Sequence, residues 1–396
     1  MSVVIRFDSH RRTLINGKPF FLIGARHMPE GASPRMLADV GFNAYRWLPF
    51  GHEVSGAAAV PPTDEGLYFW AYVFDRTLLD RAPGNRRDLE DTVRRLQPHP
   101  CLLGYENYNE VAMRWRHIDR RATPDEIIPG SRLLRELDPD HPIWLAHSCG
   151  RTVETLREYN GCMDVLGCNP YPIVPPGMRQ HYGVSPDGRM LDCPDQSMHA
   201  VGRYTQKMLR VGQGRKPVWM LIQAMANENW FSTQHCPEMA GQRIDESKIL
   251  YPTYEQMRFM AFDAVISGAT GIALAMWKTP LGGDVWHDIV RLVGQLRQLH
   301  DSLAGAPVDE PMDIAYDDLG YTIWDGIGVA IRRHNHAIFV FAANRSLDPA
   351  RATLRCPIFS QVSTAVVEGE DREVAIKSGA LSDYFEPFAV HVYRLS

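Results

Sequence analysis

The chain lacks a long hydrophobic run, a glycine-rich nucleotide fingerprint and a CxxC cysteine pair. No apolar run approaches the roughly 18 residues that a membrane-spanning helix needs, so we expect no membrane partner. A basic start followed by an apolar segment is also missing, and we therefore expect no signal peptide. Without a G-x-G-x-x-G or P-loop pattern, nothing supports a nucleotide cofactor, and we expect none.

Cysteine is sparse and irregularly spaced. The seven cysteines stand at positions 101, 149, 162, 168, 193, 236 and 356. An odd number of scattered cysteines is typical of reduced thiols, so we expect a cytoplasmic protein without a structural metal site. The net charge is −5 and the pI is near 6.3. Because no long basic run is present, we expect no nucleic-acid partner.

Size and composition are those of an ordinary globular protein. The chain has 396 residues, of which 45% are hydrophobic and 22% are charged. This is enough for a large core and for one or two domains. Nine tryptophans contribute to an aromatic content of 10%. They suit stacking against sugar rings and, equally, packing inside a large core.

The most informative stretch lies between His99 and Glu110. The apolar residues 101–104 are followed by polar residues that end in Asn109 and Glu110. Short apolar runs of this kind are typical of strands that are buried on both faces. Parallel α/β barrels carry their catalytic residues at the C-terminal ends of such strands. The pattern therefore predicts a strand that brings Glu110 to an active site.

The same stretch resembles the fourth-strand motif of the clan A glycoside hydrolases, roughly H-P-x-[ILV]-x-x-[WY]-x-x-x-N-E. In that family the glutamate is the general acid/base, and the asparagine binds the sugar beside the scissile bond. The resemblance implies that Glu110 is the acid/base and that Asn109 contacts the substrate.

Other segments resemble further strands of the same family. G-F-N-A-Y-R, which ends at Arg46, is similar to the second strand, whose arginine supports the nucleophile carboxylate. Residues 164–171 are similar to the sixth strand, whose tyrosine hydrogen-bonds the nucleophile; Tyr171 is its counterpart. Trp277 matches the strand-eight aromatic that lies under the sugar ring. The resemblance covers roughly residues 14–280 and implies a (β/α)₈ barrel.

Strand signals also alternate with helix signals along this part of the chain. Beside the stretch at 101–104, we predict strands at 20–24, 43–48, 66–74, 142–147, 164–171, 216–223 and 271–277. Parallel strands joined by helical crossovers favour an α/β fold, a (β/α)₈ TIM barrel over residues 1–304. Beyond 305, short strand-like runs separated by polar turns predict a small C-terminal antiparallel β-sandwich over 305–396.

The family pattern breaks at the seventh strand. The stretch that begins with Lys216 ends in Gln223, where the family has its nucleophile glutamate. A neutral amide cannot be the nucleophile of a double displacement. Gln223 could replace a native glutamate, or orient a water or an acetamido group beside another carboxylate, or mark a protein that binds carbohydrate without cleaving it. We favour the second interpretation.

The other candidate residues follow predicted strands and would meet at one end of a barrel. Glu106 lies an even number of residues before Glu110, so we expect both side chains on one side of the strand, with Glu106 as a buried partner of Arg46 or of a histidine. Other candidates for a second carboxylate are Glu228, Glu30, Asp284 and Asp75. The residues expected to bind sugar hydroxyls are Arg26, His27, His147, Asn169 and Tyr171.

The sequence thus predicts a glycoside hydrolase that cleaves a β-linked glycoside or oligosaccharide. Glu110 is the general acid/base, Gln223 occupies the nucleophile position, and the partner is a carbohydrate. The alternative is a carbohydrate-binding barrel without catalysis. No cofactor or metal is expected, and a homo-oligomer is left open.

Overall fold

The structure is a computed structural model that describes residues 3–49, 60, 61, 63, 66–113, 119–173, 197–226, 249–317 and 325–395. It opens with an antiparallel sheet of three strands, β1 (Ile5–Phe7), β2 (Thr13–Ile15) and β3 (Lys18–Phe20). Asn16 and Gly17 join β2 to β3 with φ angles of 50° and 81°. Two positive φ angles in a two-residue loop make the hairpin turn that the Asn-Gly pair predicts.

The second sheet has eight strands, and all its adjacent pairs are parallel. They are β4 (Leu22–Ala25), β5 (Ala44–Trp47), β6 (Tyr68–Tyr72), β7 (Leu102–Glu106), β8 (Ile143–His147), β9 (Val165–Cys168), β10 (Trp219–Gln223) and β11 (Gly271–Ala275). A single bridge, Leu166 to Val218, closes the ring between β9 and β10. The predicted (β/α)₈ barrel is confirmed.

Helices lie between the strands, and the caps of several can be read from the sequence. The helices are α1 (Pro34–Val40), α2 (Asn85–Leu96), α3 (Pro124–Leu137), α4 (Val153–Arg157), α5 (Ala200–Val211), α6 (Tyr254–Ile266), α7 (Gly283–Gln298) and α8 (His300–Leu303). Thr123 and Glu126 form a capping box at the start of α3. Gly41, with φ 116°, ends α1. Such caps satisfy backbone groups that the helix leaves unpaired.

Three tryptophans fill the inside of the barrel. Trp70, Trp144 and Trp219 are buried, and their rings meet edge to face with centroids 5.3 and 5.6 Å apart. Edge-to-face contacts are a preferred geometry of aromatic pairs. These side chains pack the core, so part of the tryptophan content serves the fold.

Several barrel strands end before the candidate residues that follow them. β9 ends at Cys168 and β11 at Ala275, so Asn169, Tyr171 and Trp277 lie in loops at the barrel mouth rather than in strands. Pro170 explains the early end of β9, because proline has no N–H for the ladder. In the described ranges, no helix is long and apolar enough to cross a membrane.

The C-terminal strands form a nine-stranded antiparallel sheet that folds over its own core. The strands are β12 (Ala306–Pro307), β13 (Asp313–Tyr316), β14 (Ile327–His334), β15 (Ala337–Asn344), β16 (Ala350–Arg355), β17 (Thr364–Val367), β18 (Arg372–Lys377), β19 (Ala380–Phe385) and β20 (Val390–Leu395). The predicted sandwich after the barrel is confirmed, and the boundary at 304/305 stays a prediction. Arg345 joins the sandwich to α6 through Asp263, at 2.8 Å.

Candidate active site

Glu110 lies at the C-terminal rim of the barrel, beyond the end of β7. The N–H of Asn107 donates to the carbonyl of Trp144, and the N–H of Glu110 donates to the carbonyl of Ala146, both at 2.8 Å. In a regular parallel ladder, the N–H that donates to Ala146 would belong to Asn109, two residues after Asn107. One extra residue is therefore inserted here, so the chain bulges, and Glu110 has a positive φ of 53°. Bulges re-aim side chains. The even number of residues between Glu106 and Glu110 therefore does not determine the direction of the Glu110 side chain.

The carboxylate of Glu110 is held by two donors. Asn169 Nδ2 donates to Oε1 at 2.8 Å, and Arg121 Nη2 donates to Oε2 at 3.4 Å. The same Asn169 nitrogen reaches Asn109 Oδ1 at 3.3 Å. The side chain of Glu110 is 15% exposed, so the carboxylate is fixed in place and still open to the mouth.

Glu106, in contrast, is a buried carboxylate inside the barrel. It is 0% exposed. Arg26 Nη2 donates to its Oε1 at 2.9 Å, and Trp70 Nε1 donates to its Oε2 at 2.8 Å. Because both oxygens accept strong hydrogen bonds, Glu106 is an internal counterion and not a free base. The sequence predicts Arg46 or a histidine as the partner, whereas Arg26 makes the hydrogen bond and Arg46 Nη1 stays at 3.8 Å.

Replacing Trp70 with phenylalanine tests the hydrogen bond to this buried carboxylate. Loss of the indole N–H leaves one oxygen of Glu106 without its donor, and we expect a loss of about 1–3 kcal/mol in the free energy of unfolding. Urea unfolding measures it. Trp47→Phe is the matched control, because the indole N–H of Trp47 has no hydrogen bond to a described residue and its ring contacts Arg95 and Phe69. Equal losses in the two variants would contradict the assignment.

Arg26 connects the buried carboxylate to the exposed one. Its Nη1 donates to Asn169 Oδ1 at 3.2 Å, while Asn169 in turn donates to Glu110. Burial opposes the charge of Arg26, but the combined attraction of Glu106, Tyr171, Tyr72 and Glu110 outweighs burial and raises the pKa of the guanidinium. A chain of polar contacts thus runs from Glu106 through Arg26 and Asn169 to Glu110.

Arg46 is the second arginine of the mouth, and it is less well paired. Its side chain is 9% exposed, and its Nη1 lies 3.8 Å from Glu106 Oε1, beyond hydrogen-bond distance. The guanidinium carbon lies 4.9 Å from the centre of the Tyr72 ring, a cation–π contact. Its buried Nε has no hydrogen-bond partner. Burial lowers the pKa of Arg46, and the charge of Arg26 lowers it further, against the attraction of Glu106.

Three partly exposed ring side chains border the same mouth. The rings of His27 and Trp277 meet edge to face at 5.4 Å. Burial, together with the charges of Arg46 and Arg26, lowers the pKa of His27 well below its usual value, so the imidazole is neutral at pH 7. Burial also raises the pKa of Tyr171, which keeps its hydroxyl protonated. These groups can exchange hydrogen bonds with a neutral sugar.

His147 does not join these residues. Along β8, Trp144 and Ala146 face the inside of the barrel, so His147 faces the surrounding helices, where its ring lies 6.2 Å from that of Tyr159. It is 0% exposed, and burial lowers its pKa to about 3. The sequence located the end of the strand, but the alternation of side chains places His147 behind the barrel wall.

Gln223 is turned toward the backbone of a neighbouring loop. Its Oε1 accepts from the N–H of Ile173 at 2.9 Å, and its Nε2 donates to the carbonyls of Ile173 at 2.9 Å and Met225 at 3.1 Å. It is 0% exposed. The amide therefore closes the seam between β9 and β10, where the strands themselves share a single bridge.

The remaining carboxylates predicted from the sequence lie elsewhere. Glu30 and Asp284 are exposed, and Asp75 pairs with Arg76 at 2.6 Å. Glu228 lies outside the described residues. Within the part of the chain that the structure describes, no group of three His, Cys, Asp or Glu side chains could hold a metal ion. Sequence reasoning missed Arg121, which carries no motif signal and reaches Glu110 only through the fold.

Solved structures share this architecture. A glycoside hydrolase family 5 protein from Bacteroides vulgatus is 11% identical, with a TM-score of 0.58 over 100% of this chain and 92% of that one. A β-galactosidase from Bacillus circulans sp. alkalophilus is 9% identical, with a TM-score of 0.57 over 96% and 99%. The fold is that of the glycoside hydrolase barrels. A further solved structure, described as a glycoside hydrolase, is 12% identical, with a TM-score of 0.58 over 99% and 96%.

At these identities the likeness is one of fold alone. The chain matches no protein-family profile and no curated protein sequence. Function must therefore be argued from the side chains at the barrel mouth, because one fold hosts many chemistries.

Proposed function

We propose that this protein is a glycoside hydrolase that cleaves a β-linked glycoside or oligosaccharide, with Glu110 as the general acid/base. The observation that carries the proposal is the placement of Glu110. It is a partly exposed carboxylate at the C-terminal rim, held by Asn169 and Arg121. Active sites of barrel enzymes lie at this rim. A positioned carboxyl can protonate the glycosidic oxygen and then activate water.

The surrounding groups suit a sugar substrate. Asn109, Tyr171 and the neutral His27 offer donors and acceptors for hydroxyls, and Trp277 offers an aromatic face. This arrangement follows the usual design of a binding site, in which a few placed polar groups fix the orientation of the ligand.

Gln223 has a positioning role in this proposal. Its amide uses its oxygen and its nitrogen on backbone groups of Ile173 and Met225, which supports a role in holding the loop that carries Asn169 and Tyr171. The second carboxylate that glycoside cleavage requires is then a different residue, with Glu228 as the candidate from the sequence.

Hydrolysis of a panel of aryl β- and α-glycosides by the unaltered chain tests the proposal. We expect release of the aryl group from at least one β-glycoside and from none of the α-glycosides. Cleavage of α-glycosides alone would contradict the proposed linkage, and no cleavage at all would contradict the activity.

The second candidate function is a carbohydrate-binding barrel without catalysis. It is favoured by the burial of Glu106 and by the amide at position 223, which leave Glu110 as the one partly exposed carboxylate in the hydrogen-bonded cluster of described residues. Calorimetry with the same glycosides distinguishes the two functions, since binding without product supports the second. A cytoplasmic location and a homo-oligomer stay predictions.

A further inference from the structure

We infer that the sugar bound at this site carries a carboxylate, which Arg46 holds at the bottom of the barrel mouth. The inference rests on the proposed function, because it names the substrate class of the same site. The substrate is then a glycoside of a uronic acid rather than of a neutral sugar.

The buried charges inside the barrel do not balance one another among the described residues. Arg26 and Arg46 both point into the barrel, and the carboxylate between them, Glu106, balances one of them. Arg26 lies at hydrogen-bond distance from that carboxylate, at 2.9 Å, whereas Arg46 stays at 3.8 Å. A buried charge without a hydrogen-bonded partner is costly. Among the described residues that face the barrel interior, there is therefore one positive charge more than Glu106 neutralises.

The side chain of Arg46 faces the interior of the barrel. Ala44 packs inside the barrel, so Arg46, two residues further along β5, faces the same interior. Its guanidinium has no hydrogen bond to a described residue, and its contacts there are the Tyr72 ring and the carboxylate of Glu106 at 3.8 Å. A guanidinium offers a planar set of donors that fits a carboxylate with two parallel bonds. The guanidinium of Arg46 thus has N–H donors without a hydrogen-bond partner among the described residues.

The seventh strand supplies no anion to the barrel mouth. β10 ends in Gln223, whose amide is bonded to Ile173 and Met225 and brings no charge. Among the described residues this strand therefore offers Arg46 no counterion, and a carboxylate on the substrate can take that place.

The size of the excess positive charge favours a sugar carboxylate over a sugar phosphate ester as the group that Arg46 binds. A sugar carboxylate carries one negative charge, which matches the single charge that Glu106 leaves unbalanced. A phosphate ester carries about −1.5 to −2 at pH 7 and would bring a new excess of the opposite sign beside buried Glu106.

Substrate preference of the unaltered protein gives the first test. Two sets of aryl β-glycosides are compared by kcat/KM. One set is the glucuronide, the glucoside and the glucoside 6-phosphate, and the other is the galacturonide, the galactoside and the galactoside 6-phosphate. We expect at least one uronide to exceed its neutral and phosphorylated counterparts by about 10- to 150-fold in kcat/KM, the worth of a hydrogen bond to a charged group.

Variants of Arg46 give the second test. Arg46→Gln should remove most of the preference for the uronide over the neutral glycoside, and Arg46→Lys should restore part of it, since lysine keeps the charge without the planar fork. Arg87→Gln is the matched control, because Arg87 is exposed on α2 and does not contribute to the charge balance inside the barrel. Thermal unfolding checks that each variant is folded, and the ratio of the two substrates cancels a general loss of activity.

Binding measurements separate this inference from the proposed function. Calorimetry with free glucuronate and galacturonate, against glucose and galactose, needs no turnover. Uronate-selective binding that depends on Arg46 supports the inference even when no glycoside is cleaved. Cleavage of neutral or phosphorylated glycosides in preference to uronides overturns the inference and leaves the proposed function standing. Absence of uronate-selective binding and cleavage overturns it as well.

Discussion

Replacing Glu110 with glutamine is expected to lower kcat for aryl β-glycosides by about 100- to 10,000-fold, the usual contribution of a general acid/base. Glutamine keeps the shape of the side chain and can still contact Asn169 and Arg121, so substrate binding should change much less than turnover. Steady-state kinetics of the variant measures both quantities. Circular dichroism and urea unfolding should show an intact fold, because the side chain is partly exposed at the rim.

The leaving group provides a sharper readout. A dinitrophenyl leaving group departs with little help from an acid, whereas an unactivated alcohol needs protonation. The rate of the bond-breaking step should therefore fall less in Glu110→Gln for the dinitrophenyl glycoside than for a glycoside of an unactivated alcohol. Glu136→Gln, on the exposed face of α3, is the control and should leave kcat unchanged. Equal losses for both leaving groups would argue for a binding role of Glu110, and unchanged activity would end the proposal.

Replacing Gln223 with glutamate is expected to lower the free energy of unfolding by about 3–5 kcal/mol, because it leaves an uncompensated buried charge. The amide nitrogen of Gln223 donates to the carbonyls of Ile173 and Met225, and a carboxylate cannot donate to either. Urea unfolding measures the loss. Hydrolysis should fall as well, since the loop that begins after β9 carries Asn169.

The pH dependence of this variant has a defined sign. A carboxyl buried among carbonyl oxygens has a raised pKa in the folded state, so it binds its proton more tightly folded than unfolded. The bound proton stabilises the folded state at low pH, and this stabilisation is lost as the pH rises. The loss in the free energy of unfolding, relative to the unaltered chain, should therefore grow between pH 5 and pH 8. Gln206→Glu, exposed on α5, is the control and should stay within about 0.5 kcal/mol.

The opposite result has a clear meaning. The Gln223→Glu protein could be as stable as the unaltered chain and gain retaining hydrolysis. This result would show that position 223 is the nucleophile position and that glutamine there has removed the nucleophile. The hydrogen bonds to Ile173 would then be incidental, and the search for another carboxylate would be unnecessary.

The order of strands and helices could be predicted because local patterns carry it. Apolar runs bounded by turn residues marked the barrel strands, and Thr123 and Gly41 marked helix ends, since capping depends on nearby residues. At the start of α2 the local pattern misleads. Asparagine favours the N-cap of a helix, but Gly84 occupies the cap, and the amide of Asn85 donates to the carbonyls of Asp75 and Leu78.

Part of the candidate site could also be predicted. Arg26, Asn169 and Glu110 follow three different strands, and the parallel ladder brings the ends of those strands to one rim, so the sequence could anticipate their meeting. It could not anticipate Arg121. Nor could it exclude His147, because its direction depends on which side of β8 faces the barrel.

The sequence by itself determined the eight-stranded barrel, the sandwich that follows it, and the carboxylate at position 110 as the residue to test. These follow from periodicity and motif, which are properties of neighbouring residues. Only the tertiary structure decided the partners of Glu106, Gln223 and Arg46, because these partners are distant in the chain. Arg26 and Trp70 donate to the buried carboxylate of Glu106, Ile173 binds both ends of the Gln223 amide, and the guanidinium of Arg46 has no hydrogen bond to a described residue.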